Sequence, residues 1–332
     1  MRKRTIKKLD VMKGTKFSLI LLIAIFFASC NDTKNKNTDS HKGVNEYAII
    51  YNVLVNDSTD NYDVFKIDMD GSNKKNITNL PGVEWSYISE KDEVLFISDK
   101  DTCHRCFRLY QSNFKGENLK KISDILLSDS WMSSRNNGKE LIIKPKADST
   151  FNIIDFKGNI LSRVETGLPY SSDPLFVNDG KQIVFRGGKT KSKLLEGFNE
   201  ELYLIDENGK NRKQLTTYPE NDTTAGKFGY KAGTPKLHPT EKYITYQSKQ
   251  NGKYSLYAVS LDGQKQWKLT DNRENEGWHD WSPDGKWLAI ELFDDDQTQF
   301  NIGLMNWETK EMKILTDSTY RYQQCPNFVI KN

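Results

Sequence analysis

The sequence has few of the residues from which metal sites and disulfide-rich scaffolds are built, with four cysteines and four histidines among 332 residues. It contains no Gly-x-Ser-x-Gly elbow, and we expect no appended hydrolase domain. Residues 187–190 end like a phosphate-binding loop, but Ile183 stands where the first glycine is needed. Residues 294–296 lack the glycine and the distal glutamate of a calcium-binding loop. We therefore expect no cofactor and no bound metal.

The first 30 residues have the pattern of an export signal. Seven basic residues precede an almost unbroken apolar stretch at residues 17–27, which is short for a membrane-spanning helix. The stretch ends in Phe27-Ala28-Ser29-Cys30 and is similar to the bacterial lipobox, although Phe27 replaces the usual leucine. This similarity implies a lipid on Cys30 that attaches the protein to a membrane. The alternatives are an ordinary signal peptide cut nearby and an uncleaved anchor.

The segment after Cys30 predicts a tether followed by one domain. Residues 31–40 offer no apolar side chain for burial, so we expect 31–45 to be disordered and 46–332 to fold. Removal of the signal leaves 41 basic against 44 acidic residues, a net charge of −3. The basic character of the whole chain thus belongs to the signal, and we expect no nucleic-acid partner. We expect the mature protein to be a monomer.

Six segments share an alternating strand that ends in a polar or glycine turn. They begin at Tyr62, Phe107, Phe151, Leu202, Leu256 and Ile302. Five of the turn glycines, at positions 71, 116, 158, 209 and 263, are spaced by 42 to 54 residues. A period of this length is typical of the four-stranded blade of a β-propeller.

A second hairpin recurs between these segments. Its clearest copy is Trp281-Ser282-Pro283-Asp284-Gly285-Lys286-Trp287, in which a tight Asp-Gly turn joins two strands. Weaker copies begin at Ser134, Phe176 and Leu237. Two such hairpins make one blade. The sequence therefore predicts an all-β fold, a six-bladed β-propeller of four-stranded antiparallel blades.

These repeats resemble the WD-like propeller repeat of TolB-type periplasmic proteins, whose blades carry a Trp-Ser-Pro-Asp-Gly turn. The resemblance covers about residues 47–330 and implies a propeller of the cell envelope. Residues 326–330 match the start of one repeat, and residues 47–51 match its second strand. We therefore expect the C-terminal strand to join the N-terminal strands in one blade and to close the ring.

The loops between hairpins and between blades should share one face of the disc, and irregular loops on a rigid scaffold commonly bind ligands. On this face His279 stands where other copies have a proline, beside Trp278 and Asp280. The imidazole of His279 is suited to a metal, a general base or a sugar contact, or it caps the strand while Trp281 packs between blades. Trp131 aligns with Trp278, so two blades should present an aromatic ring at the channel.

Two further loops of that face combine aromatic and cationic side chains, a mixture that suits glycans or acidic ligands. We expect ligand contacts from Lys227, Phe228 and Tyr230 in one loop and from Arg321 and Tyr322 in the other. Each segment is equally compatible with a solvated loop that has one aromatic anchor.

Residues 103–106 read Cys-His-Arg-Cys and permit several interpretations. Haem attachment requires a histidine after the second cysteine, where Phe107 stands. A zinc site requires a second pair of ligands, which Cys325 alone does not provide. An oxidising envelope compartment favours a small disulfide between Cys103 and Cys106. Cys325 is then left without a partner cysteine.

These features favour a lipid-anchored envelope protein that is a non-catalytic binding scaffold for a protein or a glycan. The alternative is a polysaccharide lyase similar to oligogalacturonate lyases, with His279 and Asp280 as catalytic residues at the channel mouth. Those lyases hold a metal with several histidines, whereas the expected domain has His104, His238 and His279, with His238 expected near the opposite face. A third interpretation is assistance in envelope assembly, although the expected propeller leaves too few residues for the extra N-terminal α/β domain of TolB.

Overall fold

A computed structural model describes residues 46–146, 149–191 and 199–331. The expected signal peptide, its lipid-bearing Cys30 and the tether at 31–45 lie outside the described residues. Within the three described ranges, no helix has both the length and the apolar character that crossing a membrane requires.

The described residues form 24 β-strands in six antiparallel sheets of four strands, the blades. Blade 1 contains β1 (Tyr47–Asn56), β2 (Asn61–Asp68), β3 (Lys75–Asn76) and β24 (Gln323–Ile330). Blade 2 contains β4 (Glu84–Glu90), β5 (Glu93–Ser98), β6 (Phe107–Asn113) and β7 (Lys120–Leu127). Blade 3 contains β8 (Ser133–Arg135), β9 (Glu140–Ile143), β10 (Phe151–Asp155) and β11 (Ile160–Val164).

The remaining three blades follow in chain order. Blade 4 contains β12 (Tyr170–Val177), β13 (Gln182–Gly188), β14 (Glu200–Asp206) and β15 (Lys213–Gln214). Blade 5 contains β16 (Lys236–Leu237), β17 (Tyr243–Gln250), β18 (Lys253–Ser260) and β19 (Gln266–Lys268). Blade 6 contains β20 (Asn275–Trp281), β21 (Trp287–Phe293), β22 (Phe300–Asn306) and β23 (Met312–Ile314). A 3₁₀ turn, Asp57–Thr59, links β1 to β2.

The last strand of the chain closes the ring. Strand β24 is the inner strand of blade 1 and pairs antiparallel with β1, with Tyr47 opposite Ile330 and Ile49 opposite Phe328. The sheet of blade 1 therefore holds both ends of the domain together. This arrangement confirms the predicted six-bladed fold and its closure.

The Asp-Gly turn between β20 and β21 shows why the repeat motif folds as it does. Ser282 Oγ donates to Asp284 Oδ1 at 2.6 Å and accepts from the backbone N–H of Trp287 at 2.9 Å. Gly285 has φ +71°, and a Cβ there would lie 3.1 Å from His238 of the preceding blade. A glycine is favoured at this position because its backbone is left-handed and its surroundings are close.

The core lies between neighbouring blades, and strand β5 is buried on both of its faces. Val94 and Phe96 pack into a cluster shared with blade 1, whereas Leu95 and Ile97 pack into a cluster shared with blade 3. Alternate side chains point to opposite faces of a strand, so each residue of β5 serves one interface. Full burial of such a side chain contributes about 1.5–3 kcal/mol.

The two faces of the disc differ in their connections. The six inner strands all begin at one face, which we call the loop face, and end at the other, which we call the turn face. The loop face carries the connections between blades and the middle loop of each blade, such as residues 99–106 and 215–235. The turn face carries the tight turns, such as residues 282–286. The long connections thus lie on one face.

Candidate functional site

Two cavities lie where the inner strands of the blades meet. The upper cavity, of about 280 Å³, opens at the loop face and is lined by Tyr62, Trp85, Tyr87, Arg105, Asp129, Trp131, Asp173, Arg186, Tyr230, Thr234 and Trp278. The lower cavity, of about 430 Å³, lies towards the turn face and includes Lys236 and Asp280. Tyr87, Trp131 and Asp173 line both cavities, so they form the layer between them.

Irregularities in the inner strands place side chains in the upper cavity. The register shifts between Ser86 and Ile88 in β4, and between Glu276 and His279 in β20. An extra residue in a strand bends it and changes the direction of the side chains nearby. Tyr87 lies within the first of these bulges and Trp278 within the second, and both line the upper cavity.

Five aromatic side chains form a continuous cluster in this cavity. The ring centroids of Trp278 lie 6.1 Å from Trp85 and 6.5 Å from Trp131. Tyr87 lies 4.9 Å from Trp131, and Tyr62 lies 4.7 Å from Trp85. Aromatic pairs at these distances pack favourably, so the rings position one another before any ligand is bound.

Asp173 connects three blades beside these rings. Its Oδ1 accepts hydrogen bonds from the backbone N–H of Trp131 at 3.1 Å and from Ser130 Oγ at 3.3 Å, both ahead of blade 3. Its Oδ2 accepts from Thr234 Oγ1, ahead of blade 5, at 3.0 Å. Asp173 itself belongs to blade 4 and has φ +54° at a bulge of β12. An aspartate tolerates this left-handed backbone better than most residues.

Arg186 supplies the positive charge that this carboxylate needs. The guanidinium lies 2.6 Å from Asp173 Oδ2 and 2.9 Å from Glu200 Oε2, with all three side chains buried. Burial alone would lower the pKa of Arg186, but the two carboxylates hold that pKa well above its ordinary value. Its guanidinium carbon also lies 5.0 Å from the ring centroid of Tyr230. The wall of the cavity is therefore a charged network within the protein.

The loop at residues 99–106 contributes Arg105 to the cavity. A disulfide joins Cys103 to Cys106, with the Cα atoms 5.1 Å apart. The guanidinium of Arg105 donates to Asp60 through Nε at 2.7 Å and through a terminal nitrogen at 2.9 Å. The hydrogen bond from Arg105 lowers the pKa of Asp60 below its usual range. Cys325, in contrast, is a buried free thiol.

The structure brings together some of the residues that the sequence indicated. Trp131, Trp278 and Tyr230 line the upper cavity. Lys227 and Phe228 lie on the loop face outside its lining, and the Phe228 side chain is 70% exposed. Two others lie elsewhere on that face: Tyr322 packs 5.2 Å from Phe300, and Arg321 Nε donates to Thr298 O at 2.8 Å.

His279 does not face the channel mouth, and that expectation is corrected. The side chain is 1% exposed, and its Nε2 lies 2.7 Å from Thr245 Oγ1 of blade 5. Burial, assisted by the charge of Lys236, lowers the pKa of His279 to about 3. The bulge before His279 explains the difference, since it directs Trp278 to the cavity and His279 into the interface between blades.

Asp280 is likewise engaged away from His279. Its Oδ1 lies 3.0 Å from Lys236 Nζ, and its Oδ2 accepts the backbone N–H of Phe328 at 2.9 Å. His238 packs 4.4 Å from Trp281, near the turn face as expected. Among the described residues, no group of three histidine, cysteine or acidic side chains is arranged to hold a metal ion.

Sequence reasoning missed Tyr62, Trp85 and Tyr87, the charged side chains of Arg105 and Asp129, and the Asp173–Arg186 pair. One signal in the sequence could have indicated Trp85. The pair Glu84-Trp85 begins the inner strand β4, and Gly277-Trp278, which also carries a tryptophan, lies within the inner strand β20. The charged residues come from separate loops and blades, and they meet only when those blades pack against one another.

Comparison with known proteins places the fold. No family model matches the chain. The Tol-Pal system protein TolB of Francisella tularensis is 28% identical over 116 residues, which are 35% of this chain. The matched segment covers 25% of that relative's length.

Solved structures agree with the propeller fold. The structure of putative TolB from Agrobacterium tumefaciens aligns with a TM-score of 0.58 at 15% identity, over 82% of this chain and 89% of that one. TolB from Acinetobacter baumannii aligns with a TM-score of 0.63 at 15% identity, over 85% of this chain and 66% of that one. Together with the sequence match, these alignments confirm the predicted similarity to the TolB-type propeller.

Proposed function

We propose that this protein is a non-catalytic binding scaffold of the bacterial cell envelope, and that a segment of a partner protein binds at its loop face. The observation that carries the proposal is the upper cavity, where five aromatic rings and a buried ion-pair network form a rigid, concave site. Aromatic side chains and arginine are enriched where protein interfaces gain most of their binding energy. A cavity of about 280 Å³ suits a side chain or a chain terminus rather than a whole domain.

The similarity to TolB supports a protein partner. The curated relatives are named as proteins of the Tol-Pal system. We propose that this protein also acts in a protein assembly of the envelope, as a monomer attached through a lipid on Cys30. The tether at 31–45 would then separate the propeller from the membrane.

The surroundings of His279 support the scaffold over the lyase. A catalytic or metal-binding imidazole must reach its substrate or ion, and this side chain is enclosed between two blades. Its pKa of about 3 also makes the imidazole a weak base, far from the pKa near neutrality that suits a general base. Asp280 is held by Lys236, so the two residues do not act on one substrate.

Site-specific photo-crosslinking in the native host tests the proposal. A photoreactive phenylalanine analogue replaces Phe228 on the loop face, where the side chain is 70% exposed. The same analogue replaces Leu161 on outer strand β11, which is 51% exposed, as the matched control. We expect a discrete protein adduct from position 228, which disappears when Trp278 is also changed to Ala, and none from position 161.

Absence of an adduct at 228, or adducts equal at both positions, would overturn the proposal. An adduct at 228 that persists in the Trp278→Ala variant would place the partner outside the upper cavity. A purified glycan that blocks the position-228 adduct would indicate a carbohydrate ligand in place of the protein.

A further inference from the structure

We infer that the upper cavity binds an alkylammonium group, supplied by a lysine side chain or by the N-terminal amine of the partner. This inference rests on the proposed function, since it names the chemistry that the cavity recognises. The inference rests on three observations: the arrangement of the aromatic rings, the pairing of the charged side chains, and the exposure and partners of the Asp129 carboxylate.

The rings form a site that attracts cations. The face of an aromatic ring carries negative potential, and an ammonium within about 6 Å of its centroid is stabilised. Trp85 and Trp278 both line the cavity with their centroids 6.1 Å apart and their planes at 86°, so a cation in the cavity beside this pair lies within reach of both rings. Tyr62 lies beside Trp85 at 4.7 Å and adds a third ring to the same cavity.

The protein already makes one contact between a cation and an aromatic ring in the layer between the two cavities. Lys236 Nζ lies 4.2 Å from the ring centroid of Trp131, and Asp280 supplies its counter-charge at 3.0 Å. Trp131 is therefore engaged by an internal cation. Trp85, Trp278 and Tyr62 are the rings that we assign to an incoming one.

The charged side chains around the cavity also favour an ammonium group over an anion. Each guanidinium group that lines the cavity, Arg105 or Arg186, already has a carboxylate partner. Asp60 holds Arg105 through two hydrogen bonds, and Asp173 and Glu200 hold Arg186. Neither guanidinium group is therefore left without a partner for an anionic ligand to fill.

Of the two carboxylates that line the cavity, Asp129 lies farther from a guanidinium group than Asp173 does. It accepts a hydrogen bond from the Tyr87 hydroxyl, and Arg105 is no closer than 4.0 Å. Its side chain is 53% exposed, more than that of any carboxylate that holds Arg105 or Arg186. A neutral apolar ligand would cover this carboxylate without compensating its charge, which is costly. An ammonium compensates the charge while its methylene groups lie against the rings.

Titrations followed by the indole N–H signals of the intact protein test the inference. The probes are Nα-acetyl-lysine amide and its neutral counterpart of similar length, Nα-acetyl-norleucine amide. We expect the lysine amide to shift the signals of Trp85 and Trp278, to leave those of Trp267 and Trp307 unchanged, and to bind about tenfold more tightly than the norleucine amide. A second pair, glycinamide and N-acetylglycinamide, distinguishes a terminal amine from a side-chain amine.

Two variants test whether the Asp129 carboxylate is responsible for the preference for the lysine amide. Asp129→Asn keeps the shape of the side chain and an oxygen that accepts from Tyr87, and it should reduce lysine-amide binding about tenfold. Asp124→Asn removes the same charge from the exposed strand β7 and should have no effect. Unchanged signals for Trp267 and Trp307 in each variant show that the fold is intact.

Equal binding of the lysine and norleucine amides, or an Asp129→Asn variant that binds as the original protein does, would overturn the inference. If crosslinking at position 228 depends on Trp278 while no ammonium preference exists, the inference alone fails. If the ammonium preference exists but position 228 captures no protein, the proposed function fails and the chemistry of the cavity stands.

Discussion

The Nε2 atom of His279 lies 2.7 Å from Oγ1 of Thr245, across the interface between blades 5 and 6. The same hydroxyl oxygen accepts a hydrogen bond from the indole N–H of Trp281 at 3.1 Å. All three side chains are buried. One threonine hydroxyl thus serves two polar side chains of the next blade, and the histidine that the sequence offered as a ligand is part of the scaffold.

Replacement of Thr245 by Val should destabilise the fold. The variant keeps the side-chain volume but leaves the Trp281 indole and the His279 imidazole without this buried partner. We expect the free energy of unfolding to fall by about 1–3 kcal/mol. Urea unfolding measures the change, and Thr217→Val, at an exposed position, is the control and should change little. Equal stability of the two variants would contradict the role given to the Thr245 hydroxyl.

His279 should make the protein sensitive to acid. Its pKa is about 3 in the folded state and about 6.5 when unfolded, so its contribution to stability is present above pH 6.5 and is lost as the pH falls towards 3. Replacement by Gln removes this titration. Between pH 7 and pH 4 the variant should lose about 1–3 kcal/mol less stability than the original protein, measured by urea unfolding at both values. Parallel losses in the two proteins would refute this.

Replacement of Arg186 by Met should strongly destabilise the fold. It leaves the buried carboxylates of Asp173 and Glu200 without their shared guanidinium. We expect a loss of about 3–5 kcal/mol in unfolding free energy. Arg163→Met on the exposed strand β11 gives the comparison and should be within about 0.5 kcal/mol of the original. The double variant Arg186→Met with Asp173→Asn should recover part of the loss, because one buried charge is then removed.

The Cys103–Cys106 disulfide should hold Arg105 in place. Replacing both cysteines by Ser should have a small effect on global stability, about 2 kcal/mol or less for so short a loop. The loop itself should open more readily, so trypsin should cleave faster after Arg105, as mass spectrometry of the fragments would show. Cleavage after Arg321, in a separate loop, provides the reference. An unchanged ratio of the two cleavages would show that Asp60 and Asp99 alone fix the loop.

The fold could be predicted from the sequence because its signals are local. The Asp-Gly turn, the alternating strands and the spacing of the repeats each occupy a few neighbouring residues, and the closing strand repeats a motif already present. Trp131 and Trp278 were found for the same reason, since aligned positions in similar blades meet at the channel.

The rest of the site depends on features that periodicity does not show. The bulge between Glu276 and His279 interrupts the alternation of side chains, so the residue expected at the channel is buried and its neighbour Trp278 takes that position. The Asp173 network joins Thr234, 61 residues away, and Ser130, 43 residues away, through contacts that exist only once neighbouring blades pack together.

The pairing of Tyr47 with Ile330 also determines how the protein can be handled. Ile330 donates its backbone N–H to Lys91 O, in the tight turn between β4 and β5, so both ends of the propeller emerge at the turn face. A bead, a membrane or a fused domain joined ahead of Tyr47 or after Ile330 is therefore attached to the side opposite the upper cavity. Immobilisation through either terminus should leave that cavity open to its ligand, whichever end carries the attachment.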